Sequence, residues 1–173
     1  LWGRLELLEE MKPFNYGGDM ISEVHVDHTV FKSAPHKFEA GTPHIAGVIG
    51  FGAAIEYLTR LGMQNIRDHE RELVAYAMKQ FTRVEGLAFL GPKDPDVRGG
   101  VFACTLKGVH PHDIAQLLNE DNICIRAGNH CAMPLHEHLG ITSTARASLY
   151  VYTTKEVIDV LIEGLIKVKK VFS

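Results

Sequence analysis

The 173-residue chain is 46% hydrophobic and 23% charged, a composition that fills a folded core and excludes a disordered polymer, and its length suits one ordinary domain or a small domain joined to part of another. Eighteen basic against 21 acidic side chains leave a formal charge of -3, without the cationic surplus that tracks nucleic-acid phosphates. No apolar run approaches the roughly 20 residues of a membrane span, the opening Leu1-Trp2-Gly3-Arg4 lacks the basic-then-apolar order of a secretory signal, and three cysteines fit reduced thiols in the cytoplasm.

The sequence has no initial Met and runs at once through Leu1-Trp2-Gly3-Arg4-Leu5-Glu6-Leu7-Leu8, which reads as a strand end entering a short helix and as the edge of a longer polypeptide. Between residues 13 and 40, Pro13, Gly17-Gly18 and Pro35 surround the alternating Ile21-Ser22-Glu23-Val24-His25-Val26, a strand or hairpin in a loop-rich arm. Thr42-Pro43 then opens an apolar helix from Ile45 through Leu58, with Thr42 as N-cap, Pro43 at the first helical position and Gly62 as its stop. Gly47, Gly50 and Gly52 cost that helix about 1 kcal/mol each relative to Ala, so burial and close approach of another backbone are expected.

From Asn65 to Arg83, Ile66, Leu73, Val74, Ala77 and Phe81 form one stripe of an amphipathic helix, with Glu70 and Arg71 opposite. Strands are predicted at Leu87 to Leu90 and Val101 to Leu106, separated by a Pro/Asp/Gly loop at 91–100. Pro111 opens a short helix carrying Ile114, Leu117 and Leu118, and further strands are predicted at Ile123 to Arg126 and Ala147 to Val151. Thr153-Thr154-Lys155-Glu156 reads as a capping box ahead of a final amphipathic helix with Val157, Val160, Leu161, Leu165, Val168 and Val171 at helical spacing. Residues 63–173 thus form an α+β unit, a small sheet under helices, behind an extended arm.

The stretch Ile125-Arg126-Ala127-Gly128-Asn129-His130-Cys131-Ala132-Met133-Pro134 ends a strand and carries a cysteine beside the cationic Arg126 and the titratable His130, which could lower a thiol pKa and favour the nucleophilic thiolate. Residue type alone leaves Cys131 open between a nucleophile and an ordinary exposed thiol. Cys104 and Cys124, within apolar strands, read as small buried hydrophobes. His130, Cys131, His136 and His138 offer metal-ligand chemistry in nine residues but lack the paired spacing of a zinc site, so no metal is expected. His25 and His28, three apart on strand-like sequence, are expected on opposite faces at the surface. Arg146 by itself reads as a surface ion-pair partner.

Five segments in order, Leu1-Trp2-Gly3, Tyr16-Gly17-Gly18-Asp19-Met20-Ile21, Phe38-Glu39-Ala40-Gly41-Thr42-Pro43, Arg126-Ala127-Gly128-Asn129-His130-Cys131-Ala132 and Arg146-Ala147-Ser148, make the whole chain resemble the C-terminal portion of the cysteine desulfurases of the class V aminotransferase family, particularly the SufS-like group that includes selenocysteine lyases. The resemblance implies an α/β fold of the type I pyridoxal-phosphate class, with residues 1–62 the remnant of a large cofactor domain and its arm, and 63–173 a small domain bearing the cysteine loop. It further implies pyridoxal 5'-phosphate chemistry on L-cysteine or L-selenocysteine, yielding L-alanine and a persulfide on Cys131 that passes to a sulfur-acceptor protein for iron–sulfur cluster assembly. Arg146 matches the family's arginine for the substrate carboxylate, Arg126 a second arginine near the nucleophile, and Thr42 a residue that reaches the cofactor phosphate of the neighbouring subunit in a homodimer.

Two departures qualify the match. The family's cofactor lysine sits in a Ser-x-His-Lys segment shortly before Leu-Trp-Gly, and none of the ten lysines here lies in such a segment, so the chain alone is expected to be inactive. Asn129 stands where the SufS-like group carries His, which removes a titratable group beside the nucleophile. The alternatives are a non-catalytic chain that binds a full-length desulfurase or a sulfur acceptor, and a lyase of the same fold with another substrate.

Overall fold

A computed structural model describes residues 2–172; Leu1, the first residue of the Leu-Trp-Gly segment, lies outside the described residues. The chain divides into two compact units, Leu1–Arg60 and Leu61–Ser173.

The first unit contains α1 (Leu5–Glu10), the antiparallel hairpin β1 (Ile21–Val24) and β2 (Thr29–Phe31), a 3-10 turn at His36–Phe38, and α2 (Ile45–Leu61). Val24 pairs with Thr29, so residues 25–28 form the hairpin turn, closed by the His25 N–H donating to the His28 carbonyl at 2.8 Å. Strand alternation therefore does not apply to His25 and His28: both are exposed, but their rings stack with centroids 4.4 Å apart instead of lying on opposite faces. The buried Lys37 Nζ donates to the Glu9 carbonyl at 2.8 Å and ties the 3-10 turn to α1.

The apolar helix departs from expectation at its start and in its burial. The first helical bond is Val48 N–H to the His44 carbonyl at 3.0 Å, after a tight turn in which Ile45 N–H donates to the Pro43 carbonyl at 2.8 Å. That turn delays the helix, so Thr42 is not its N-cap and Pro43 is not its first residue. No residue of α2 is buried, and a Cβ built on Gly50 or Gly52 meets nothing within 4 Å, so no described backbone of its own unit approaches those glycines.

The second unit packs its three longest helices on one face of a four-stranded sheet. Its elements are α3 (Met63–Phe81), β3 (Leu87–Phe89), β4 (Val101–Leu106), α4 (Pro111–Glu120), β5 (Arg126–Gly128), α5 (Met133–His138), β6 (Thr144–Ser148) and α6 (Lys155–Val171). All three pairings in the order β3-β4-β6-β5 are antiparallel. Alternation along β4 buries Phe102, Cys104 and Leu106 against the helices. They meet Leu73, Val74, Ala77 and Phe81 of α3, Ile114 and Leu118 of α4, and Ile158, Leu161, Ile162, Leu165 and Val168 of α6.

Two strands lie later or earlier than predicted. Ile123 to Ile125 packs on the core without strand pairing and β5 begins at Arg126, while β6 spans Thr144–Ser148 because that stretch pairs with β4 on one side and β5 on the other. Residues 149–151 leave the ladder for a turn in which Tyr150 N–H donates to Thr153 Oγ1 at 2.9 Å. This occupies the threonine expected to open the capping box: α6 is capped at Thr154, with no side-chain cap bond. Among the described residues no single helix is long and apolar enough to cross a membrane.

Candidate active site

The groups singled out between residues 126 and 146 gather on the sheet face opposite α3, α4 and α6, where α5 brings His136 to Thr144. Arg126 pairs with Arg146 across β5 and β6, and Arg146 with Ala103 across β6 and β4, so both guanidiniums and Thr144, two residues from Arg146, share that face. Neither arginine has a carboxylate partner among the described residues, and Arg146 Nε is buried without any hydrogen-bond partner. Like charges directly opposite are destabilising by about 0.2–1 kcal/mol. A substrate carboxylate would relieve that repulsion and satisfy the planar N–H fork of an arginine.

Beyond β5, Gly128 turns at φ 124° and is followed by His130 at φ 55° and Cys131 at φ 60°. Two successive non-glycine residues in the left-handed region cost about 1–2 kcal/mol each and persist only where their surroundings impose them. Asn129 supplies one constraint: its Oδ1 accepts the Cys131 N–H at 3.0 Å and its carbonyl accepts the Ala132 N–H at 2.9 Å. Through the first of these bonds the Asn129 side chain holds the backbone of Cys131. The Cys131 side chain is exposed, and Arg126 Nη2 lies 3.9 Å from its sulfur.

His130 supplies the second constraint. Its Nε2 lies 3.1 Å from the Thr144 carbonyl, which can only accept, so Nε2 carries the proton and also reaches Thr144 Oγ1 at 2.9 Å. His136 Nδ1 lies 3.0 Å from the Ala132 carbonyl and must likewise donate, which leaves its Nε2, 3.2 Å from Thr144 Oγ1, to accept the threonine proton. The His130 pKa is lowered by burial and then by the charge of Arg146, so the ring is neutral near pH 7. With His130 neutral, Arg126 is the charged group that the described residues place on the Cys131 sulfur. Thr144 was not singled out from the sequence, and His136 was weighed only as a metal ligand and set aside; the signal for Thr144 was its place two residues from Arg146 on one strand.

The other thiols differ. Cys104 is buried, its Sγ donating to the Ala145 carbonyl at 3.4 Å, and burial pushes its pKa up to about 11. Cys124 is exposed on a non-strand segment, contrary to the expected buried strand, because Ile123 and Ile125 on either side pack towards the core and turn it outwards. Thr42, in the first unit, has an exposed hydroxyl with no hydrogen-bond partner among the described residues, a donor suited to a phosphate oxygen. No group of three or more His, Cys, Asp or Glu side chains among the described residues is disposed to hold a metal ion.

A family model described as Aminotransferase class-V matches residues 1–161. The chain belongs to the class-V aminotransferase family. This class-V chain is 46% identical over 172 residues to a probable cysteine desulfurase of Streptomyces coelicolor, covering 99% of the chain and 41% of that protein. It is 41% identical to a cysteine desulfurase of Haloferax volcanii, covering 100% and 40%. It superposes on the cysteine desulfurase CsdA of Escherichia coli, solved in an S-sulfonic acid form, with a TM-score of 0.91 at 37% identity over 99% of this chain and 42% of that one. The apo cysteine desulfurase of Thermococcus onnurineus gives 0.90 at 35% over 96% and 42%. The class-V chain therefore spans about two fifths of the length of these relatives. Its mixed α/β architecture is the matching part of the type I pyridoxal-phosphate-dependent fold, and pyridoxal phosphate is the family's cofactor.

Proposed function

We propose that this chain supplies the sulfur-accepting half of a pyridoxal-phosphate-dependent cysteine desulfurase. The observation that carries the reading is the exposed Cys131, held in a strained left-handed turn with the Arg126 guanidinium 3.9 Å from its sulfur, beside the unpaired Arg126–Arg146 couple. A bare surface cysteine has no need of such a setting.

In this reading Arg146, with Arg126 beside it, grips the α-carboxylate of L-cysteine. Pyridoxal phosphate, when bound, supplies the electron sink that weakens the substrate's carbon–sulfur bond. Cys131 Sγ then takes the sulfur: an S–S bond forms, the carbon–sulfur bond breaks with its electron pair left on carbon, and a proton completes the methyl group of L-alanine. The N–H groups of Arg126 face the sulfur throughout. Thr42 holds the cofactor phosphate through its hydroxyl, in the partner subunit's site of a homodimer. Residues 1–62 belong to the large cofactor domain and 63–173 form the small one. The persulfide passes to a cytoplasmic sulfur-acceptor protein for iron–sulfur cluster assembly.

None of the ten lysines lies in a Ser-x-His-Lys segment, so on this reading the 173 residues alone are inactive and need a polypeptide that carries the cofactor lysine. The test is sulfide release from L-cysteine with added pyridoxal phosphate, by this chain alone and by this chain with a lysine-bearing half. Activity only in the mixture, lost on Cys131→Ala, is expected. Unchanged activity of the Cys131→Ala mixture would favour a lyase of another kind, and silence in a mixture of folded halves would favour the non-catalytic chain that binds a desulfurase or a sulfur acceptor.

A further inference from the structure

We propose that Thr144 and His136 are positioning residues that fix the conformation of Cys131, an inference that deepens the desulfurase reading and, as to its purpose, rests on it. The residues on either side of the nucleophile are tied to the same atom. On one side His130 Nε2–H bonds Thr144 Oγ1 at 2.9 Å. On the other, the Ala132 carbonyl accepts His136 Nδ1–H at 3.0 Å, and His136 Nε2 accepts the Thr144 hydroxyl at 3.2 Å. The carbonyls of Thr144 and Ala132 can only accept and so set both tautomers, and the Thr144 hydroxyl accepts from one ring and donates to the other.

The hub excludes water: Thr144 is 0% and His136 5% exposed, so no solvent molecule replaces a lost partner. It is also rigid, because Thr144 lies on β6, bonded to a strand on each side. Arg146 stands two residues along on the same face, so one strand carries both the arginine and the anchor of the cysteine loop. The left-handed φ values of His130 and Cys131 then follow from the anchoring, and the sulfur stays in reach of the Arg126 guanidinium. In a free loop the same residues would relax towards negative φ and the contact with Arg126 would be lost.

The three cysteines provide the test within one molecule. The 173-residue chain is treated with iodoacetate, an anion, and separately with iodoacetamide, its neutral analogue, and modification is quantified at each cysteine by peptide mass spectrometry. Exposed Cys124 is the reference and buried Cys104 reports the intact core. Beside a guanidinium, Cys131 should favour the anionic reagent about fivefold more than Cys124 does, and added salt should reduce the difference. Thr144→Val, which keeps the shape and removes the hydroxyl, should lower that preference to the level of Cys124, and Thr144→Ser, which restores the hydroxyl, should recover it, with Cys104 unmodified in both.

A Thr144→Val chain that keeps the full preference overturns the proposal. Should valine expose Cys104, the unmutated chain decides through the 15N NMR shifts of its histidines: protonated Nε2 on His130 with protonated Nδ1 on His136 supports the hub, and the opposite tautomer at either ring overturns it. Neither readout depends on turnover. A hub without desulfurase activity in the completed enzyme would refute the reaction and leave the positioning intact, and the reverse result would do the opposite.

Discussion

Three thiols in one small unit meet three different fates, and the surroundings decide each. Cys104, with its pKa pushed up to about 11 by burial, should resist alkylation at neutral pH until the unit unfolds, whereas Cys124 and Cys131 react in the folded chain; rapid labelling of Cys104 under native conditions would contradict the packing. His130 makes a pH prediction. Its folded pKa is held below the ordinary 6.5 by burial and Arg146, so on acidification the unfolded chain accepts a proton that the folded one resists. Stability is thus undiminished above that value and falls as pH drops through it towards the folded pKa. His130→Gln should flatten the loss in urea midpoint between about pH 7 and 5, and an unchanged slope would count against a neutral buried ring. At this scale the sequence exposed the chemistry of Cys131 and the two arginines through residue type and motif. It concealed the hub, since Thr144 and His136 lie eight residues apart and meet only after β6 pairs and α5 folds back.

Packing between elements carries the next set of consequences. Gly164 on α6 lets α4 approach: a Cβ there would lie 2.6 Å from Leu118 Cδ2 and 2.7 Å from Ile123 Cδ1. Alanine favours a helix by about 1 kcal/mol over glycine, yet overpacking a filled site costs about 1–3 kcal/mol, so Gly164→Ala should lose about 1 kcal/mol net in chemical denaturation. At the start of the same helix, Thr153→Ala should cost about 1 kcal/mol through its lost bond to Tyr150 N–H, while Thr154→Ala, which gives up no side-chain cap bond, should cost less. Equal losses would contradict an N-cap Thr154 without a side-chain cap bond. Helices α3, α4 and α6 were legible because their apolar stripes repeat at helical spacing. Strand limits were not, because Ile123 to Ile125 and Leu149 to Val151 are as apolar as any strand, and only the ladder partners of β6 exclude them.

For the molecule as a whole, the exposed apolar side chains of α2, among them Val48, Ile49 and Phe51, explain why burial was expected and is absent: the residues are those of a covered helix, and no described residue of its own unit covers them. The chain spans about two fifths of the length of its relatives, so the pattern is legible as a helix and illegible as to its cover. Contiguous exposed apolar surface of this kind drives association, and the isolated chain should self-associate or aggregate; a monodisperse monomer in light scattering would contradict this. The central claim concerns where sulfur goes. The most direct measurement mixes this chain with a lysine-bearing half and pyridoxal phosphate, adds L-cysteine, and locates by intact peptide mass spectrometry the cysteine that gains one sulfur atom. The account predicts a persulfide on Cys131, with Cys124 and Cys104 unmodified; a persulfide on Cys124, or L-alanine formed with none on Cys131, would contradict it.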